Sequence, residues 1–178
     1  MIVRQARKGD AESEAVYSDD MAHRYLLTRV WGPGRRALFV MLNPSTATEA
    51  QNDPSVERCE RRARALGFGA FRVCNIFAFR ETDPQKMRAA ADPVGGPAND
   101  AAIAESCLWA DMTICAWGTH GAFLGRGPSV ERLMRGTGRP LFHLGLTRDG
   151  HPRHPLYIGY GTRPALWPDA ADGAPGLK

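Results

Sequence analysis

The sequence lacks most of the residue patterns that announce a chemistry. Four of its 178 residues are cysteines (Cys59, Cys74, Cys107 and Cys115), and no two of them form a Cys-x-x-Cys pair. The five histidines form neither a His-x-x-x-His nor a His-Glu-x-x-His pattern. A zinc or iron–sulfur site has no spacing to support it, so buried free thiols, no metal and no cofactor are expected. No apolar run approaches the ~20 residues needed to cross a bilayer, and the N-terminus MIVRQARKGD lacks a signal-peptide core. A cytoplasmic protein without a membrane partner is the expectation. Lysine is nearly absent: Lys8, Lys86 and Lys178 stand against 20 arginines. All three lie outside the motifs described below, which argues against a lysine-based lyase step.

Other features are ordinary or informative. A length of 178 residues fits one domain, with hydrophobic content of 43% and charged content of 24%. The net charge of +4 is unevenly placed. Residues 1–117 hold 15 basic and 15 acidic side chains, whereas residues 118–163 hold seven arginines against Glu131 and Asp149. A basic block of this kind suits a phosphate-binding face, although codon bias toward arginine would also enrich it.

Apolar runs bounded by Gly, Pro and Asn mark strands at RYLLTRVW (24–31), ALFVML (37–42), FRVCNIFAF (71–79), MTICAW (112–117) and PLFHLG (140–145). The loop Gly32-Pro33-Gly34 is expected to join the first two as an antiparallel pair. The last four are nearly continuous hydrophobic runs, as in strands buried on both faces of a parallel sheet. Asp53-Pro54 reads as an N-cap followed by Pro at the first helical position, with Gly67 closing that helix. Its stripe of Val56, Cys59, Ala63 and Leu66 faces inward, and Arg58, Arg61, Arg62 and Arg64 are expected mostly to face solvent. Pro97 and Pro128 open two further helices. The expected fold is α/β, a three-layer sandwich with a central mostly parallel sheet. A single monomeric domain spans residues 1–178, with a core of about 24–168 and a fraying tail over 169–178.

In an open α/β sheet, ligands bind beyond the carboxyl ends of the strands. Here the strand at 37–42 stops at Asn43-Pro44-Ser45-Thr46. The next carries Asn75 and runs into Arg80-Glu81-Thr82-Asp83-Pro84. The third ends in Trp117-Gly118-Thr119-His120-Gly121. The last leads to His151-Pro152-Arg153-His154-Pro155-Leu156-Tyr157. One such ending could be chance; four imply a built cleft. Asn43 either caps its own turn, as Asn commonly does, or serves a ligand. Asp53 and Asp83 each precede a proline and read first as caps. Phe77, Phe79 and Trp117 read as core or pocket wall.

These segments, LNPS (42–45), VCNIFAFR (73–80), CAWGTHG (115–121) and HPRHPLY (151–157), resemble the uracil-DNA glycosylase superfamily in type and order. The chain is also similar, over about residues 24–168, to a bacterial and phage family carried as a domain of unknown function. That family has the pattern LNPSTA, DDP, N-x-FA-x-R-x-TDP, AWG and PRHPLY. The chain departs from the glycosylases in placing Asn43 and Ser45 where an Asp or Tyr often stands. Its histidine loop holds an extra residue, so either His151 or His154 matches; the His-Pro-Leu run favours His154.

The resemblance implies a glycosylase-like fold and a monofunctional DNA glycosylase that hydrolyses the N-glycosidic bond of a flipped-out base, leaving an abasic site. The base would be damaged or modified, for instance a hypermodified pyrimidine of phage DNA, in a repair or anti-phage role. Asn43 would orient a water, His154 would donate to the departing base, and Asp53 is the first candidate for a general base. Asn75, Phe77 and Trp117 would recognise the base, while Ser45, Thr46, Arg80 and Arg153 would contact DNA. The alternative is a nucleic-acid- or nucleotide-binding protein of the same fold without hydrolysis. An enzyme of free nucleosides is a third reading, against which the basic block weighs.

Overall fold

A computed structural model describes residues 1–170. The chain forms β1 (Ile2–Lys8), β2 (Ala11–Tyr17), β3 (Arg24–Val30), β4 (Arg36–Met41), α1 (Pro54–Ala65), β5 (Ala70–Asn75), α2 (Pro84–Arg88), α3 (Gly96–Trp109), β6 (Met112–Cys115), α4 (Arg126–Arg135), β7 (Leu141–His143) and β8 (Ala165–Trp167). Among the described residues, the eight strands join one sheet, ordered β1-β2-β3-β5-β4-β6-β7-β8. The tail expected to fray begins at 169 and falls, from 171 on, outside the described residues.

The expected three-layer sandwich with a mostly parallel, glycosylase-like sheet is overturned: the fold is α/β, but the sheet is mixed. Four of its seven pairings are antiparallel. Only β5-β4-β6-β7 run parallel to one another. The added antiparallel strands are those whose sequence carries little apolar signal. β2 reads AESEAVY and alternates buried with more exposed positions, as a strand with one solvated face should. β1 is mostly polar, and β8 has three residues.

The Gly32-Pro33-Gly34 hairpin is overturned too. β5 inserts between β3 and β4, pairing antiparallel with one and parallel with the other. The loop after β3 instead grips the entry to β5: Trp31 and Gly32 donate to the Gly69 carbonyl, and Gly69 donates to Arg35. Backbone donors that a hairpin would have used are thereby spent on a third strand.

Helices cover the middle strands. α1 packs Val56, Cys59 and Ala63 against Phe39, Phe71 and Ile114 on one face. α3 and α4 place Ile103, Cys107, Val130 and Met134 against Leu38, Val40, Cys74 and Cys115 on the other. The four cysteines are buried free thiols. The start of α1 follows its sequence closely: the Asp53 side chain accepts from Val56 N, with Pro54 in the first turn. Asp83 caps α2 in the same way.

Two arginines of β3 are fully buried and serve the irregular segment after β4. Arg29 donates to the Thr48 carbonyl at 2.9 Å, the Gln51 carbonyl at 3.2 Å, the Asn52 side chain at 2.7 Å and the Ser13 hydroxyl, with Glu60 3.8 Å away. Arg24 donates to the Ala47 carbonyl at 2.9 Å and to Asn75 Oδ1 at 3.3 Å. Burial lowers Arg24 to about 10, partly opposed by Asp53, so it stays cationic at neutral pH. A buried loop must find donors for its carbonyls, and one guanidinium supplies five. Arg29→Met, which fills the volume but strands these acceptors, is expected to cost about 3–5 kcal/mol in urea unfolding; a cost below ~1 kcal/mol would show that the clamp contributes little.

Candidate active site

Parallel strands bring their carboxyl ends to one edge, and there the segments following β4, β5, β6 and β7 enclose a cavity of about 400 Å³. Asn43, Ser45, Asp53, Trp117 and His154 all line it. These five come from three segments far apart in the chain, those after β4, β6 and β7.

Asn43 is placed by continued pairing beyond the strand. Ile76 N and Phe77 N donate to the Met41 and Leu42 carbonyls. The Asn43 carboxamide Nδ2 then donates to the Glu81 carbonyl at 2.6 Å and to the Pro44 carbonyl at 3.3 Å. The reading of Asn43 as a residue that caps its own turn is thus met. Its nitrogen ties the turn, and its Oδ1 accepts no hydrogen bond among the described residues, leaving an acceptor at the cavity wall.

His154 starts a short 3-10 turn at Pro155–Tyr157, and its Nδ1 accepts from Leu156 N at 3.3 Å. A backbone donor on Nδ1 puts the ring proton of the neutral form on Nε2. Burial lowers its pKa to about 4 against a small opposing pull from Asp53, so the ring is neutral at physiological pH. Its loop is held from α1. Arg58 donates to the Pro155 carbonyl at 3.0 Å, and Arg62 to the Thr162 carbonyl at 2.7 Å and the Gly159 carbonyl at 3.1 Å. Both guanidinium groups lie over the Tyr160 ring. The expectation that this arginine cluster faces solvent fails at Arg62, which is 1% exposed because the loop covers it. His151 sits elsewhere, in a small depression with Glu131 and Asp149 on the other side of Trp117.

Asp53 is committed structurally, its two oxygens accepting from Val56 N at 2.9 Å and Ala47 N at 3.3 Å, yet it lines the cavity. Trp117 is pinned between Gly121 and Gly127. A Cβ at Gly127 would lie 2.7 Å from the indole Nε1, and one at Gly121 would overlap the ring. Larger residues there would displace this wall.

Other expected residues fall outside the cavity. Asn75 is 1% exposed beneath it, bound to Arg24, with its Nδ2 lacking a partner. Phe77 is core, packed on Phe123 at 5.7 Å. Thr46 and Arg80 line an adjoining concavity of about 530 Å³, which shares Ser45, Glu81 and Thr82 with the cavity. A 2.9 Å hydrogen bond between Ser45 and Thr82 forms the shared wall. Arg80 is engaged there, over Tyr17 and donating to the Met21 carbonyl. Arg153 is exposed, with Nε on the Leu146 carbonyl. Sequence reasoning passed over Ser55, Thr82, Thr119 and His120, which line the cavity. The runs WGTHG and RETDP carried the signal. The basic block is thinner than its count: Arg126 is buried on the Ile76 carbonyl and Asp100, and Arg135 pairs with Glu131. Arg132, Arg139, Arg148, Arg153 and Arg163 remain exposed.

Compared with known families, residues 24–156 match the family described as Protein of unknown function (DUF1643), and the chain belongs to it. No curated protein and no solved structure matches the chain. The match assigns no activity and supplies no link to the glycosylase superfamily.

The pKa of His154 has a consequence for stability. Its folded value of about 4 lies below the ordinary 6.5, so between these values the unfolded chain binds the extra proton. Stability therefore rises with pH across that window, is complete above it, and is lost on acidification through it. His143, also lowered by burial, acts in the same direction. His154→Gln is expected to flatten the dependence measured by urea unfolding at stepped pH. An imidazole resonance of His154 titrating near 6.5 in the wild type would overturn this assignment.

Proposed function

We propose that this cavity excises a base from DNA as a monofunctional glycosylase, cleaving the N-glycosidic bond of a flipped-out nucleotide. The observation that carries the reading is one cavity lined by both a neutral imidazole bearing Nε2–H and a carboxamide with an open Oδ1. As the C1′–N bond breaks, its electron pair leaves with the base. A preorganised donor such as His154 Nε2–H stabilises the developing charge, and one such donor is worth ~3–4 kcal/mol in the transition state. Asn43 Oδ1 accepts from a water and aims it at C1′. A carboxamide takes no proton, so when the C1′–O bond forms the water's proton passes to Asp53. Trp117 supplies an apolar wall against the base.

A cavity of about 400 Å³ has the size of a ligand cleft (~300–1,000 Å³), with room for a ring that carries a substituent. This favours a damaged or modified base, such as a hypermodified pyrimidine of phage DNA, and with it a repair or defence role. Nucleic acid as partner is supported by the exposed Arg148, Arg153 and Arg163, and by Tyr157, which is 89% exposed three residues after His154 and available for stacking.

Wild-type protein incubated with uracil-containing duplexes and with hypermodified phage DNA is expected to release a free base, identified by mass spectrometry, and to leave alkali-labile strands. Asn43→Ala and His154→Ala should each slow release about 100- to 1,000-fold. No release from either DNA, with binding unchanged in both variants, would replace this reading with a non-catalytic binding protein. Arg153→Ala is expected to lower the salt slope of duplex binding by about 0.9, as loss of one phosphate contact does; an unchanged slope would remove Arg153 from the DNA contacts.

A further inference from the structure

The cavity holds a second histidine whose setting that mechanism does not use. His120 stands in the 3-10 segment Thr119–Gly125 after β6 and lines the same cavity as Asn43 and His154. Its Nδ1 lies 3.3 Å from a terminal nitrogen of Arg88. A guanidinium has donors only, so Nδ1 is the acceptor and the ring proton sits on Nε2. Nε2 has no protein partner among the described residues.

Arg88 is aimed with care. It closes α2, a five-residue helix fixed by the Asp83 cap and by the fully buried Met87. Its guanidinium lies over Phe123 at 5.1 Å, and Phe123 packs on Phe77. Its Nε is buried without a hydrogen-bond partner. Arg88 is half-buried, and its one side-chain hydrogen bond among the described residues goes to this imidazole, with no carboxylate paired to it.

We propose that His120 is a second hydrogen-bond donor to the base in this cavity, with Arg88 as the positioning residue that holds its tautomer. The inference rests on the glycosylase reading for its catalytic part. Two imidazoles, each with Nδ1 occupied by a protein donor, then offer Nε2–H to one ligand from the segments after β6 and β7. On bond cleavage the departing electron pair spreads over the ring heteroatoms, and a second donor stabilises charge that His154 does not reach.

The test joins nitrogen NMR of histidine-labelled full-length protein with single-turnover base release from the DNAs named above. His120 is expected as the Nε2–H tautomer, perturbed when free uracil or free 5-hydroxymethylcytosine is added. His120→Phe should slow release about 100-fold, while His120→Gln, which keeps an N–H near Nε2, should recover to within about 10-fold. Arg88→Met should mix the tautomers and slow release, and Arg88→Lys should restore part of both. Release by His120→Phe within about threefold of wild type, or a wild-type Nδ1–H tautomer, would overturn the inference and leave the glycosylase reading standing. If wild type releases no base, that reading fails alone, and the NMR decides: perturbation by free base keeps His120 as a recognition donor, and no perturbation removes it.

Discussion

The structure depends on arginine side chains that satisfy the carbonyls of irregular backbone. The cavity is built from loops rather than from the sheet, and loops packed into an interior leave carbonyl oxygens that no ladder can serve. Arg24 and Arg29 answer this for residues 47–52, Arg58 and Arg62 for residues 155–162, and Arg126 for Ile76. The planar fork of a guanidinium reaches several acceptors at once, which the single ammonium of a lysine does not. The scarcity of lysine thus has an architectural counterpart.

These clamps tie the two halves of the proposed chemistry to common supports. α1 presents Asp53 at its first turn, and its arginines hold the loop that carries His154. Arg24 reaches from β3 to the carbonyl of Ala47, whose own N–H donates to Asp53. The Asp53 side and the His154 side of the cavity are therefore fixed through one helix and one strand. That is the rigid seating a preorganised donor requires, because a donor that must reorient during reaction loses most of its advantage.

Much of this was legible from residue patterns, and the failures have physical causes. The strand ends at Asn43, Asn75, Trp117 and the His-Pro loop were visible because apolar runs stop abruptly at polar or small residues. The cap at Asp53-Pro54 is local chemistry and read correctly. The mixed character of the sheet was not legible: β1 and β2 have one solvated face and too few apolar residues, and β8 is too short to carry a period. The insertion of β5 between β3 and β4 is a long-range choice that a glycine-rich loop does not encode. Arg62 misled because outward helical spacing says nothing about a loop arriving from about 100 residues away. His120 was in plain view, but its significance lies in Arg88, which only the fold brings beside it.

The Asn43-Pro44 junction also bears on how the protein ages. An asparagine usually deamidates when the backbone nitrogen of the next residue attacks its side-chain carbonyl and closes a cyclic imide. Proline has no hydrogen on that nitrogen, so the route is closed at this position. The Glu81 carbonyl accepts from the amide nitrogen that would have to leave. An aspartate formed there would set a carboxylate oxygen against that carbonyl. The residue two positions past β4 is thus protected from this slow conversion by its neighbour in sequence, and the cavity wall keeps its carboxamide.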